Sequence, residues 1–328
     1  MSGSGLLEIR GLQVQFRAEP PATAVRNVSL DLRRGECVAV VGESGSGKSV
    51  TAMAVMGLLP AAPRTQVSGA IRFEGTDLLA LDPARRRTMC GTRISMVFQD
   101  ALAALNPVLT VGFQIAEMFR VHQGASRRSA RRSALDLLAR VGIPGPRERY
   151  GHYPHQFSGG MRQRLMIAIA VALEPDVLIA DEPTTALDVT VQAQILQLLA
   201  DLRSESGMAL LLITHDLAVA AEVADRVAVM YAGRVVETGP VGDVLARPAH
   251  PYTDALLRSL PGEATAGGWL DTIPGMPPPI EQTPEGCAFH PRCGWTLERC
   301  HSERPELELV SIGRHSACHV REQVHHGG

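Results

Sequence analysis

The side chains with the clearest chemical purpose lie in a glycine-rich octapeptide that follows a short apolar segment. The octapeptide fits the pattern G-x-x-x-x-G-K-[ST] completely, and its residues are Gly42, Glu43, Ser44, Gly45, Ser46, Gly47, Lys48 and Ser49. Its glycines let the backbone curl so that successive N–H groups point at phosphate oxygens. A helix that begins here adds the positive end of its dipole. The alternative is an accidental glycine-rich turn, which would need neither the strand before it nor the helix after it.

The lysine of this octapeptide is unusual in the composition. Lys48 is the one lysine among the 32 lysine and arginine residues of the chain. An excess of arginine over lysine is also expected of a protein encoded in a GC-rich genome. A compact ammonium differs most from a guanidinium inside a tight phosphate cradle. We therefore expect Lys48 to contact the β- and γ-phosphates of ATP and the Ser49 hydroxyl to bind Mg²⁺.

A pair of acids, Asp181 and Glu182, ends a second apolar segment at residues 177–180. Beside a phosphate-binding loop, Asp181 would hold Mg²⁺ through water. Glu182 would then face the γ-phosphate, where a carboxylate polarises the attacking water. Two acids before a proline are otherwise a common end of a strand. The phosphate-binding loop makes the catalytic interpretation the stronger one.

Length and composition limit the classes of protein. The 328 residues allow one large α/β domain with an appendage or two modest domains. The hydrophobic share of 45% is that of a globular protein, and the net charge of −2 argues against a basic nucleic-acid binder. The longest apolar run, residues 165–173, is far shorter than the roughly 18 residues of a membrane helix. The N-terminus also lacks a signal-peptide pattern, so we expect contact with a membrane only through a partner.

Apolar runs alternate with helical patterns along the chain, which predicts an α/β fold. Strands are predicted at residues 6–16, 37–41, 71–73, 94–98, 177–180, 209–213 and 226–231. Helical periodicity is predicted at residues 48–59 (ended by Pro60), 110–142, 160–173 and 189–203. Proline, glycine and cysteine become more frequent from about Pro261, so we predict a domain boundary there.

A family resemblance joins these motifs. Ser158, Gly159 and Gly160 lie in a segment, residues 157–164, that resembles the signature motif of ABC proteins. In the same order, Gln99 resembles the Q-loop glutamine, Asp188 belongs to a segment resembling the D-loop, and His215 resembles the switch histidine. Phe16 lies where an aromatic residue usually stacks on adenine. The resemblance covers residues 6–240, and Phe157 in place of the usual leucine is expected to be a conservative packing change.

The resemblance implies how the residues act. In ABC proteins the signature binds the γ-phosphate of ATP held by the opposite subunit. Two subunits therefore close on two ATP molecules, and hydrolysis reopens them. It further implies that Gln99 senses Mg²⁺ and the attacking water, with Ser49 and Asp181 as the other Mg²⁺ contacts. His215 would contact the γ-phosphate.

Two other segments, residues 153–164 and 247–253, resemble the branch that imports dipeptides and oligopeptides, in which relatives import nickel or other small solutes. This branch implies two separate membrane permease subunits and an extracellular or periplasmic solute-binding protein. It also implies a second ABC ATPase subunit, usually a paralogue. The chain would then lie peripherally on the cytoplasmic face of the membrane, without a nucleic-acid partner.

The tail concentrates four of the six cysteines, and it resembles the C-terminal extension of the same branch. These cysteines are Cys287, Cys293, Cys300 and Cys318. A cytosolic protein seldom keeps disulfides, so a metal site is favoured. Four thiolates suit an iron–sulfur cluster or a tetrahedral Zn²⁺ ion, although zinc sites usually have closer cysteine pairs. Some members of the branch are thought to hold a [4Fe–4S] cluster here; Zn²⁺ and four free thiols stay open as alternatives.

The predicted fold is a P-loop ABC-type nucleotide-binding α/β domain over residues 1–260, with a helical signature subdomain at about 100–173. A small irregular cysteine-rich extension follows over residues 261–328. The alternatives are a soluble ABC ATPase not coupled to transport and a subunit that binds ATP without hydrolysing it. A soluble relative would normally carry long insertions or two ATPase domains, and Glu182 with His215 argues against the non-hydrolysing subunit. A redox protein with an incidental nucleotide site would need the tail to dominate the chain.

Overall fold

The computed structural model describes residues 5–260 and 272–324. The boundary predicted at about Pro261 and the first residues of the N-terminus lie outside this range. The described residues form two compact units. The first unit takes its residues from Met1–Leu32, Cys37–Ala80 and Leu212–Gly328, and the second from Arg33–Glu36 and Leu81–Leu211.

The strands of the described residues are β1 (Leu7–Phe16), β2 (Ala22–Leu32), β3 (Cys37–Val41), β4 (Thr65–Phe73), β5 (Thr76–Asp77), β6 (Ile94–Val97), β7 (Val177–Asp181), β8 (Ala209–Thr214), β9 (Arg226–Tyr231), β10 (Arg234–Pro240), β11 (Glu308–Ser311) and β12 (Arg314–Ser316). The helices are α1 (Lys48–Met56), α2 (Pro83–Met89), α3 (Ala101–Ala104), α4 (Val111–Gln123), α5 (Arg127–Arg140), α6 (Pro146–Arg149), α7 (Gly159–Val171), α8 (Val189–Ser206), α9 (Leu217–Val223), α10 (Val241–Ala246), α11 (Pro251–Arg258) and α12 (Arg299–Ser302).

The first unit contains two sheets. One is antiparallel, in the order β2-β1-β4-β5. The other runs β11-β12-β10-β9-β3 and then reaches the last three residues of β8, with β3 parallel to β9. All five residues of β3 are buried, as expected for a strand covered on both faces. The phosphate-binding loop thus follows directly after a buried central strand.

The second unit combines a short parallel sheet with the helices α2 to α8. Its strands β6 and β7 are parallel, with Val97 opposite Ala180, and the first three residues of β8 follow β7 in the sheet. Because parallel strands end at the same edge, the residues just after β6 and β7 lie close together. The helices α3 to α7 occupy residues 101–171. No helix in the described part of the chain is both long and apolar enough to cross a bilayer.

Most predicted elements are present, with corrections at their ends. The first helix ends at Met56 rather than before Pro60, because Gly57 takes a left-handed conformation (φ 70°) and caps it. The helical region predicted over residues 110–142 is two helices, separated at Gly124 and restarted by Ser126. The long strand β2 was missed. Its burial does not alternate regularly, and Asn27 within it has a positive φ of 56°.

Candidate functional site

The phosphate-binding loop of the first unit connects β3 to α1. Gly47 precedes α1 with φ 100°, and a Cβ atom there would lie 2.6 Å from the Ala24 carbonyl oxygen. A Cβ on Gly42 would lie 2.2 Å from the Met230 carbonyl oxygen. Both positions therefore need glycine, because the loop passes against neighbouring backbone. The Ser46 hydroxyl inside the loop is buried and has no hydrogen-bond partner among the described residues.

Lys48 is the buried cation of this loop. Its side chain is 4% exposed, and Nζ donates hydrogen bonds to the carbonyl oxygens of Gly42 (2.7 Å) and Glu43 (2.9 Å). Ser49 follows it in the first turn of α1 and is half-buried. Ser44 and Gly45 are exposed at the tip of the loop. The loop thus combines an ammonium, a helix N-terminus and exposed backbone, which is an arrangement for binding phosphate.

Glu43 has contacts that the sequence did not indicate. Its carboxylate pairs with Arg292, with distances of 2.7 and 3.0 Å, and its backbone N–H donates to the Tyr252 hydroxyl at 2.8 Å. Burial, together with the neighbouring Glu43 and Tyr231, raises the pKa of Tyr252. Tyr252 therefore keeps its proton near neutral pH. Tyr252 lies in α11 and Arg292 in the extension, both far along the chain from Glu43. No local sequence pattern connects them to the loop.

The other residues assigned to ATP in the first unit lie at the ends of strands. His215 follows the last residue of β8 and is exposed, and Phe16 is the last residue of β1 and is partly buried. Phe16 lines an open groove with Pro21, Pro63 and Val67. An aromatic side chain in an open groove can stack on a planar ring.

The acidic residues of the second unit are brought together with the glutamine. Asp181 is the buried last residue of β7, and Glu182 follows it with φ 46°. The Glu182 carboxylate accepts hydrogen bonds from Gln99 Nε2 at 3.2 Å and from Thr185 Oγ1 at 2.9 Å. Gln99 and Glu182 both lie two residues after the paired ends of β6 and β7. The sequence predicted both residues, and the parallel register explains their contact.

The signature residues form the start of α7 in the same unit. Ser158 is the N-cap, and its hydroxyl accepts from the Met161 N–H at 3.4 Å. A Cβ on Gly160 would lie 2.5 Å from Val191 Cγ1, whereas one on Gly159 would meet Leu187 only at 3.5 Å. Ser158 and Gly159 are exposed, so the positive end of this helix faces solvent. The neighbouring Phe157 is buried.

Asp188 acts as a helix cap in the structure. It precedes α8, and its carboxylate accepts from the Val191 N–H at 2.9 Å. The same residue Val191 contacts the position of Gly160. The D-loop aspartate and the signature helix therefore share a neighbour within the second unit.

The four cysteines of the tail are not joined by disulfides, and Cys300 and Cys318 are buried. Burial raises the pKa of Cys287 to about 11 and that of Cys318 to about 12, and neighbouring cysteines add to both shifts. The sulfurs of Cys293 and Cys318 accept backbone N–H groups from Trp295 and Val320, each at 3.4 Å. In the described ranges, no three His, Cys, Asp or Glu side chains are arranged to hold a metal ion. The predicted metal site is thus a group of neighbouring thiols without the geometry of a single-ion site.

Comparison with known proteins agrees with this architecture. The family model described as ABC transporter matches residues 25–185, and the model described as oligopeptide/dipeptide transporter, C-terminal region, matches residues 236–300. The ATP-binding cassette MJ0796, a dimer bound to ADP and Pi, aligns with a TM-score of 0.64 and 29% identity over 72% of this chain and 98% of that one. CbiO1 of Clostridium perfringens, part of an ABC transporter complex, aligns with a TM-score of 0.63 and 28% identity over 74% and 91%. The fold and the phosphate-binding loop therefore define an ABC ATPase.

Relatives of known sequence define the branch. A putative peptide import ATP-binding protein of Brucella melitensis is 51% identical over 97% of this chain and 98% of its own length. The dipeptide transport ATP-binding protein DppD of Escherichia coli is 49% identical, with 96% of each chain covered. The chain belongs to the ATP-binding subunits of ABC transporters, in the branch of the peptide import proteins. It hydrolyses ATP, and its family works as an ATPase dimer with membrane permease partners.

Proposed function

We propose that this chain hydrolyses ATP to power the import of dipeptides, oligopeptides or a related small solute through a separate membrane permease. The observation that carries the proposal is the match of one chain to both the ABC transporter model and the oligopeptide/dipeptide C-terminal region. The names of its relatives support the same cargo class. ATP binding closes a sandwich of two ATPase subunits, and hydrolysis reopens it.

The proposed chemistry assigns one task to each side chain. Lys48 holds the β- and γ-phosphates, while Ser49, Gln99 and Asp181 hold Mg²⁺, which neutralises charge on the phosphates when it is bound. Glu182 polarises the attacking water, and its hydrogen bonds from Gln99 and Thr185 orient the carboxylate. His215 contacts the γ-phosphate, and Phe16 stacks on adenine.

The signature is proposed to act on the second subunit. At this helix start Ser158 and Gly159 are exposed, Gly160 is half-buried and there is no lysine, which suits a phosphate already held by another chain. Asp188 lies at the same closing surface. The second ATPase is proposed to be a paralogue, with two permease subunits and an extracellular or periplasmic solute-binding protein. The chain then works peripherally on the cytoplasmic face, where ATP is found.

We also retain the predicted division into an ATP-binding domain over residues 1–260, with its helical part at about 100–173, and an extension over residues 261–328. In the extension, Cys287, Cys293, Cys300 and Cys318 are proposed to hold a [4Fe–4S] cluster. Cys300 and Cys318 are buried, and none of the four cysteines forms a disulfide, which supports a shared group. A single zinc ion needs four sulfurs about 2.3 Å from one point, whereas within residues 5–260 and 272–324 no three His, Cys, Asp or Glu side chains are arranged around one ion. A cluster, in contrast, binds each thiolate to a different iron.

The transport proposal is tested by ATP turnover and labelled-dipeptide uptake in proteoliposomes that contain the permease partners. Wild-type turnover should rise when the partners and peptide are present. Glu182→Gln should lower turnover about 100-fold or more while ATP still binds, because the general base is lost and the phosphate contacts remain. Glu174→Gln is the matched control and should leave turnover unchanged. Strong turnover that ignores the permease would instead indicate a soluble ABC ATPase.

The cluster is tested on protein purified without oxygen. A cluster requires brown colour, visible absorbance and iron with sulfide in equal amounts, all lost when Cys293 and Cys300 are changed to serine. Cys37→Ser and Cys90→Ser are the controls, because these buried thiols lie outside the extension. A colourless protein with one zinc ion, or with no metal, would refute the cluster.

A further inference from the structure

One side chain of the C-terminal extension binds directly to the phosphate-binding loop. The guanidinium of Arg292 meets the carboxylate of Glu43 in two parallel hydrogen bonds, Nη1 to Oε2 at 2.7 Å and Nη2 to Oε1 at 3.0 Å. The Arg292 side chain is only 5% exposed. The Glu43 side chain is 25% exposed, so the pair is partly buried, and its bidentate geometry fixes both distance and orientation. The second residue of the loop is therefore anchored on the extension, 249 residues further along the chain.

The surroundings of Arg292 hold it in this position. Its Nε donates to the Pro274 carbonyl oxygen at 2.8 Å, and its Nη1 also reaches the Tyr231 hydroxyl at 3.3 Å. The guanidinium carbon lies 5.9 Å from the centre of the Tyr231 ring and 6.0 Å from that of Phe289. The guanidinium thus has hydrogen bonds and aromatic contacts in addition to its two hydrogen bonds with Glu43. Its position is set by Pro274 and Phe289 of the extension together with Tyr231 of β9.

Glu43 transmits this position to the residue that binds phosphate. Its N–H is held by the Tyr252 hydroxyl at 2.8 Å, and its carbonyl oxygen accepts from Lys48 Nζ at 2.9 Å. Tyr252 also packs on Tyr231 and Phe289, with ring centres 4.6 and 5.3 Å away. Arg292 and Tyr252 therefore fix the backbone carbonyl group to which the Lys48 ammonium donates one of its hydrogen bonds.

Charge gives this contact a second effect. Glu43 would place an unpaired carboxylate within the loop that receives a triphosphate, and like charges repel. Arg292 neutralises the carboxylate and keeps it away from the Lys48 ammonium. Without Arg292, the carboxylate could compete with phosphate for that ammonium. Loss of Arg292 should therefore weaken nucleotide binding through both effects. It leaves the groups that polarise water in place.

We propose that Arg292 is a positioning residue of the ATP site, which makes nucleotide affinity depend on its contact with Glu43 rather than on the stability of the cysteine-bearing extension as a whole. Arg292 is the last residue of the 3-10 turn His290–Arg292, and Cys293 caps this turn. The same turn therefore sets the place of a cysteine and of the cation that anchors the loop. The proposal deepens the ATP-binding role and rests on it.

The test compares purified full-length variants by equilibrium binding of a fluorescent methylanthraniloyl ATP and by steady-state hydrolysis. Arg292→Met should raise the dissociation constant and KM about tenfold while kcat changes less than about threefold. Adding Glu43→Gln should restore most of the affinity, because it removes the unpaired carboxylate. Arg292→Lys keeps the charge without the bidentate geometry and should give an intermediate affinity; it also serves if the methionine variant does not fold.

Arg314→Met is the matched control. Arg314 also makes a buried ion pair, with Glu237 at 2.8 Å, but in the sheet rather than at the loop. It should lower the unfolding temperature without changing nucleotide affinity. Unchanged affinity in the folded Arg292 variants would overturn the proposal, as would an equal loss in Arg314→Met. A wild-type chain that binds no ATP would overturn the proposed function as well, so the two failures are distinguishable.

Discussion

Two helix N-termini in this chain use the same physics in opposite settings. At α1 the helix start is a glycine with positive φ, pressed against backbone, and the next residue is a buried lysine. At α7 the start is an exposed serine cap followed by two glycines. The first region carries its own cation and is enclosed, so it can hold a phosphate by itself. The second offers only N–H groups and a dipole, so it suits the proposed contact with a phosphate that another subunit already holds.

From this difference we expect the start of α1 to control nucleotide binding and the start of α7 to control closure of the two subunits. Loss of the first should prevent nucleotide binding by the isolated chain. Loss of the second should leave binding intact and prevent the closure that precedes hydrolysis. Variants at the two helix starts therefore test whether the two regions act at different steps.

The largest effect is expected at Lys48. Lys48→Met should weaken ATP binding on the order of 100-fold or more, because the buried ammonium is the main cation of the loop. Equilibrium titration with methylanthraniloyl ATP measures the loss. Lys48→Arg is the informative control: the guanidinium keeps the charge but cannot enter the enclosed cradle, and it should restore little. Full rescue by arginine would mean that charge alone matters at this helix.

The next effect is expected at the signature. Ser158→Arg removes the N-cap and blocks the exposed helix start, so turnover should fall about 100-fold while the ATP dissociation constant of the isolated chain changes less than about twofold. Ser126→Arg is the matched control, because Ser126 caps α5 in the same way by accepting from the Ser129 N–H at 3.2 Å. Reduced ATP affinity in Ser158→Arg would contradict the division of tasks.

The smallest effect concerns the pH dependence of the free energy of unfolding, through His250 at the N-cap of α11. Burial lowers the pKa of His250 to about 3 from its ordinary value of 6.5. The unfolded chain then binds the proton more readily, so stability is complete above pH 6.5 and falls as the pH drops toward 3. At pH 5 the expected loss is about 2 kcal/mol relative to pH 7. Urea unfolding at both pH values measures it.

His250→Asn tests the assignment of this loss. His250 Nδ1 accepts from the Tyr252 N–H at 3.0 Å as the cap of α11, and asparagine can replace that acceptor without titrating. The variant should therefore lose less stability between pH 7 and pH 5 than the wild type. An unchanged pH dependence would assign the loss to other groups.

Much of the ATP site could be predicted because its parts are local. The octapeptide 42–49, the signature residues and the acidic pair each depend on the conformation of a few consecutive residues. Gly47 needs positive φ, Ser158 caps the helix that follows it, and Asp181 ends an apolar strand. The strand at Arg226–Tyr231 was predicted at its observed bounds for the same reason. The strand β2 was missed because the conformation of Asn27 breaks the regular pattern.

Local sequence patterns therefore predict the class of fold and the order of the motifs, and they also predict which groups face phosphate. Three contacts are visible only in the tertiary structure. Arg292 pairs with Glu43, the Glu43 N–H donates to the Tyr252 hydroxyl, and Gln99 donates to Glu182. The physical reason is separation along the chain. A backbone conformation is chosen by neighbouring residues, whereas a buried ion pair depends on the register and packing of every element between its partners.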